Sequence, residues 1–163
     1  MAMSKSAKKA FYVLIADDSA DDRFLLRNTI RRAGRLQIVG EVSHGAEVIS
    51  YLEGCAEFGD RHKFPLPDLL LLDLKMPNKD GFEVLKWLKE QSFPKLTVVV
   101  LTDSMHSEHI KRALDLGADL FQVKPRTNDD RLTLLLALED HLLQAALTDT
   151  PSTRAGHTTQ AYA

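Results

Sequence analysis

The side chains best suited to phosphoryl chemistry stand at the ends of short apolar runs. Asp17 and Asp18 follow Tyr12-Val13-Leu14-Ile15, Asp73 follows Leu69-Leu70-Leu71-Leu72, Thr102 follows Val98-Val99-Val100-Leu101, and Lys124-Pro125 follows Leu120 to Val123. Carboxylates sharing one site repel each other, and a divalent cation relieves that repulsion; Mg²⁺ takes oxygen ligands in octahedral geometry and keeps several waters. Asp18 and Asp73 are expected to ligate such an ion directly and Asp17 through water. Asp73 is then a nucleophile toward phosphorus, while the ion neutralises charge on the transferring oxygens. Lys124 offers a point charge and Thr102 a hydroxyl donor to further oxygens of the same group. The product would be an acyl phosphate on Asp73. Taken singly, each residue has a plainer reading: aspartates cap helices and shape turns, a threonine caps, and a lysine is solvated. Their joint placement at strand ends favours the chemical reading.

The apolar runs are continuous rather than alternating, as strands covered on both faces must be. Weaker strands fit Gln37 to Val42 and Leu120 to Val123. Between strands, apolar residues recur three and four apart: Phe24, Leu25 and Ile30; Val48, Ile49 and Leu52; Val84, Leu85 and Leu88. Further helices are expected over His106 to Leu116 and Asp129 to Leu147. Alternation of strands with helices predicts a doubly wound α/β fold around a five-stranded parallel sheet, because parallel strands need crossover connections. Gly34, Gly54 and Gly117 are expected to stop helices. Asn78-Lys79-Asp80-Gly81 reads as a turn opening a helix. In such sheets, ligands bind beyond the carboxyl ends of the strands, where the five candidate residues fall.

The 163 residues, 44% hydrophobic, suffice for one buried core. We expect one folded unit over residues 11–147, with disordered segments at 1–10 and 148–163, the latter too poor in large apolar residues to offset ordering entropy. A net charge of -2 lacks the basic excess that nucleic-acid binding wants. No run approaches the ~18 to 20 apolar residues of a membrane span, and the lone Cys55 requires no oxidising compartment. A cytoplasmic setting is expected, without nucleic-acid or membrane partners. After Lys124 one helix and a tail remain, so the output is expected to be a protein contact.

The stretches VLIADDS, LLLLDLKMPNKDG, VVVLTDS and GADLFQVKP resemble, in order and interval, the motifs of response-regulator receiver domains over residues 11–143. The resemblance implies a flavodoxin-like sheet of order 2-1-3-4-5, Asp73 as phosphoacceptor, and Mg²⁺ as cofactor. By the same likeness the Lys75 backbone carbonyl is a metal ligand, Thr102 and Phe121 form the switch, and the Lys124-Pro125 bond is cis. It further implies a single-domain response regulator, not a turnover enzyme, phosphorylated by a sensor histidine kinase. Its signal would pass to a protein target through the face of the fourth helix, fifth strand and fifth helix. This sequence carries Asp103 where receivers usually have a small residue. Other chemistries fit less well: an aspartate-nucleophile phosphatase would want an acid where Lys75 stands, and the run from Asp17 to Asp22 would repel a nucleotide phosphate.

Two segments stand outside that pattern. The connection from Gly54 to Pro67 is longer than usual and resembles the loop of single-domain receivers serving phytochrome-type and hybrid kinases, though a tolerated surface insertion explains it equally well. In the last helix Leu132, Leu134, Leu135, Leu136, Leu138, Leu142 and Leu143 cover a wider arc than one sheet face requires. The surplus predicts homodimerisation or docking there, sensitive to Asp at Leu134 and Leu138. His106 and His109, three apart without further ligands, read as surface histidines.

Overall fold

The computed structural model describes residues 8–148; of the segments 1–10 and 148–163 expected to be disordered, residues 1–7 and 149–163 lie outside the described residues, and Thr148 is the last residue of a helix. Five strands and five helices alternate: β1 Phe11–Ala16, α1 Ala20–Ile30, β2 Leu36–Val42, α2 Gly45–Glu53, β3 Leu69–Asp73, α3 Gly81–Glu90, β4 Thr97–Thr102, α4 Ser107–Asp115, β5 Leu120–Val123 and α5 Asn128–Thr148. All pairings are parallel, in the order β2-β1-β3-β4-β5. This is the flavodoxin-like arrangement expected from the sequence.

The continuous apolar runs fill two cores, because alternate residues of a strand face opposite sides of the sheet. Leu14, Leu70, Leu72, Val98 and Val100 pack on one face with Val48, Val84, Leu85 and Leu88 of α2 and α3. Val13, Ile15, Leu69, Leu71 and Val99 pack on the other with Leu26 and Ile30 of α1 and Leu135, Leu138 and Leu142 of α5. Every residue of β3 is buried, which explains why that strand carries no polar residue before Asp73.

Local chemistry sets the helix ends near the strand tips. Ser19 caps α1 by accepting from the Asp22 amide at 3.2 Å. Asn78 and Lys79 both take positive φ, and Asp80 then opens α3 with a reciprocal capping box to Glu83. Gly81 is required for proximity: a Cβ there would lie 2.5 Å from the Asp73 carbonyl oxygen, so α3 begins directly against the acceptor's backbone. Gly54 ends α2 in the left-handed region at φ 71°. Gly34 does not end α1, which stops at Ile30 with Arg31 as its cap; the glycine sits in the turn between α1 and β2.

Two further expectations are corrected. No cis peptide bond occurs among the described residues, so Lys124-Pro125 is trans. The tertiary amide's intrinsic preference for trans, about 0.5–1 kcal/mol, prevails here. In α5, Leu138 is 3% exposed and Leu134 half-buried, because positions 135, 138 and 142 form the stripe facing the sheet; Leu136 and Leu147 are the exposed leucines. Asp at Leu138 would therefore disrupt the core rather than report on association.

The connection between α2 and β3 is built rather than slack. A short 3-10 turn, Ala56–Phe58, brings Phe58 against Tyr51 and Phe64, with ring centroids 5.0 and 5.2 Å away. The Tyr51 hydroxyl lies 3.1 Å from the Val39 carbonyl and 3.0 Å from that of Pro65. Burial pushes this phenol up to about 12, against the pull of Arg61. Arg61 donates to the carbonyls of Tyr51, Leu52 and Phe64 at 2.8, 2.7 and 3.2 Å, closing the end of α2.

Candidate acidic metal and phosphoacceptor site

The strand ends bring Asp17, Asp18 and Asp73 together, with one carboxylate oxygen of each within 4.8 Å of the others. Asp17 and Asp73 are buried and Asp18 is exposed, so the cluster opens to solvent on one side. The Asp17 carboxylate is oriented by the Ser19 amide at 2.9 Å, and its backbone carbonyl accepts from Arg23 Nη1 at 2.6 Å. The backbone amide of Lys75 favours the charged form of Asp73.

Lys124 enters from the end of β5, its amide bonded to the Thr102 carbonyl at 2.8 Å. Its ammonium lies 2.7 Å from Asp17, 2.8 Å from Asp22 and 3.6 Å from Asp73. Thr102 is buried at the tip of β4, beside β3, which carries Asp73. Phe121 is half-buried and packs on the core shared with α2 and α3. Lys75 has an exposed side chain, and Asp103 is likewise exposed on the loop before α4.

Three buried or half-buried acids share one cation, and their protonation reflects that shortage. Burial raises the Asp73 carboxyl to about 6; Lys124 pulls it down, while Asp17 adds to the rise. Asp17 is also raised, by burial first, against the hydrogen bonds from Lys124 and Ser19. For Lys124, burial opposes the charge, but the hydrogen bonds to Asp17 and Asp22 and the charge of Asp73 outweigh it and hold the ammonium above the ordinary lysine range. An all-oxygen, electron-rich donor set short of positive charge suits a hard divalent cation, and a soft metal would find no sulfur or imidazole in the cluster.

An open groove of about 660 Å³ borders the cluster, lined by Asp18, Thr102, Lys75, Phe82, His109 and Arg112 among others. Arg112 stacks on the Phe82 ring at 4.1 Å, and His109 meets the same ring edge-on at 5.5 Å. His106 and His109 pair ring to ring on the surface, in no metal-ligand cluster among the described residues.

Sequence reasoning thus anticipated Asp17, Asp18, Asp73, Thr102 and Lys124 as neighbours. It missed Asp22 as a partner of Lys124. Its place in the first turn of α1, shared with Asp21, gave no sign of that pairing.

Residues 13–137 match the family model described as the response regulator receiver domain. Response regulator Rcp1 of Synechocystis sp. is 26% identical over 143 residues, covering 87% of this chain and 95% of that protein. The solved phosphorylated cyanobacterial phytochrome response regulator RcpA is 27% identical with TM-score 0.74, covering 88% of this chain and 99% of that one. A solved form of Rcp1 with bound Mn²⁺ is 27% identical with TM-score 0.68, covering 82% and 95%. The chain spans only 30% to 59% of the length of other curated relatives that it matches, such as the protein-glutamate methylesterase of Methanospirillum hungatei, 37% identical over 115 residues. Among the described residues no helix is long and apolar enough to cross a membrane.

Proposed function

The chain belongs to the response regulator receiver domain family, and from that premise we propose that it is a single-domain response regulator that accepts a phosphoryl group on Asp73. The observation that carries this reading is the clustering of the Asp17, Asp18 and Asp73 carboxylates, with a lysine 3.6 Å from the acceptor. Asp18, Asp73 and the Lys75 carbonyl would hold Mg²⁺, with Asp17 acting through water. When bound, the ion supplies positive charge to the phosphoryl oxygens and relieves the repulsion among the acids.

Asp73 attacks phosphorus through a carboxylate oxygen, forming an O–P bond. The P–N bond of a donor phosphohistidine breaks, and the imidazole nitrogen keeps the electron pair. Lys124 meets one phosphoryl oxygen with its ammonium and Thr102 another with its hydroxyl. Burial holds the metal-free Asp73 near 6, so the acceptor is already ionised at neutral pH before the ion arrives. As Thr102 shifts toward the phosphoryl group it vacates space beside β5, into which Phe121 turns. The face of α4, β5 and α5 changes shape, redistributing two existing states.

Receiver domains pair with histidine kinases. A phytochrome-type or hybrid kinase is the partner we favour, supported by the near full-length likeness to Rcp1 and RcpA. Self-association through α4, β5 and α5 would use the exposed Leu136. Incubation with acetyl phosphate and Mg²⁺, followed by intact mass, tests the central claim. One added phosphoryl is expected, absent in Asp73→Asn; an unmodified wild-type chain overturns it.

A further inference from the structure

We infer that Asp22 is a positioning residue for the phosphoryl transfer: it holds the Lys124 ammonium so that its third donor stays directed at the oxygen arriving beside Asp73. The inference rests on the reading of Asp73 as acceptor. An ammonium has three N–H donors. Two are engaged at hydrogen-bond distance, by Asp17 at 2.7 Å and Asp22 at 2.8 Å. Asp73 lies at 3.6 Å, beyond that range, so the remaining donor has no strong acceptor until a phosphoryl oxygen comes between them.

The two engaged acids differ in what else claims them. Asp17 belongs to the cluster that would hold a divalent ion, and its charge is shared once the ion is there. Asp22 lies outside that cluster, so it is the partner that keeps Lys124 in place when Asp17 is drawn off. It is well mounted for this: its amide is tied to Ser19, whose own amide is tied to the Asp17 carboxylate. Lys124 is anchored at its other end to the Thr102 carbonyl. The ammonium is therefore stretched between α1 and the tip of β4 rather than free to follow either neighbouring acid.

The plainer role for Asp22 is that of an acid favoured at a helix N-terminus. Asp21 separates the two, since it stands in the same first turn with an exposed side chain. Phosphorylation rates at saturating Mg²⁺ and acetyl phosphate are compared for wild type, Asp22→Asn, Asp22→Glu and Asp21→Asn, alongside the Lys124 ammonium resonance of the metal-free proteins by ¹H–¹⁵N spectroscopy. Positioning predicts a loss of about tenfold and a displaced, faster-exchanging resonance in Asp22→Asn, recovery to within about threefold in Asp22→Glu, and little change in Asp21→Asn. A wild-type rate and resonance in Asp22→Asn overturns it, as does an equal loss in Asp21→Asn. Failure of the wild type to take up phosphoryl would sink the acceptor reading, whereas the ammonium resonance, read before any donor is added, still judges Asp22.

Discussion

Arg61 and Lys124 are both half-buried cations with three oxygen neighbours, yet the oxygens differ in kind. Arg61 faces carbonyls of Tyr51, Leu52 and Phe64, which are neutral and fixed in the backbone. Lys124 faces the carboxylates of Asp17, Asp22 and Asp73, which are charged, titratable and able to exchange partners. A cation on carbonyls closes a helix end and locks it. A cation among surplus acids is held strongly but by partners that other ligands can claim. Static structure and switchable chemistry thus use similar distances and are told apart by the charge of the acceptors.

That contrast can be broken most severely at the acceptor. Asp73→Asn should abolish phosphoryl incorporation, measured by intact mass, while Arg61→Met should leave it within about twofold. Lys124→Met leaves two buried carboxylates and the nearby Asp22 without their cation, and should cost about 3 kcal/mol in metal-free denaturant melts. Millimolar Mg²⁺ should restore part of that loss, and an Mg²⁺-independent deficit would show that the lysine acts only as packing. Arg61→Met should cost about 2 kcal/mol through its unsatisfied carbonyls, irrespective of Mg²⁺.

The pH dependence sharpens the same difference. Asp73 in the fold holds its proton up to about 6, above its ordinary value of 3.8, so the folded protein binds more protons than the unfolded chain between those values. Metal-free stability should therefore be fully present below pH 4 as far as this group is concerned, and fall by about 3 kcal/mol in all as pH rises through 6, with roughly 2 kcal/mol of the loss between pH 4.5 and 6.5. Mg²⁺ should flatten the profile, and urea melts at pH 4.5 and 6.5 with and without the ion would measure it. Smallest of all, Leu136→Asp should weaken any self-association with little effect on melting, read by sedimentation at high concentration.

Much of this arrangement was legible because the strands announce themselves. Continuous apolar runs at 12–15, 69–72 and 98–101 can only be buried on both faces in a parallel sheet, and the polar residues just beyond each run must stand at one rim. The capped turn before α3 was equally plain, since Asn, Lys, Asp and Gly each act locally. The features that escaped were decided by contact across the chain. Phe58 and Phe64 fit no helix or strand period, so their packing on Tyr51 of α2 left no trace in the pattern. Asp22 looked like any acid at a helix start, because its pairing with Lys124 spans 102 positions. The leucines from 132 to 143 in α5 gave a broad arc, and only the sheet beneath them chose 135, 138 and 142 as the inward stripe.

The tight seat of Gly81 against the Asp73 carbonyl has an outcome for anyone surveying this chain by saturation mutagenesis. Even alanine would push the start of α3 off the acceptor's backbone, so every replacement should score as a loss of phosphorylation. A ranked map of sensitive positions would then set this residue beside the aspartates, although it brings no functional group to the reaction and contributes only by being thin.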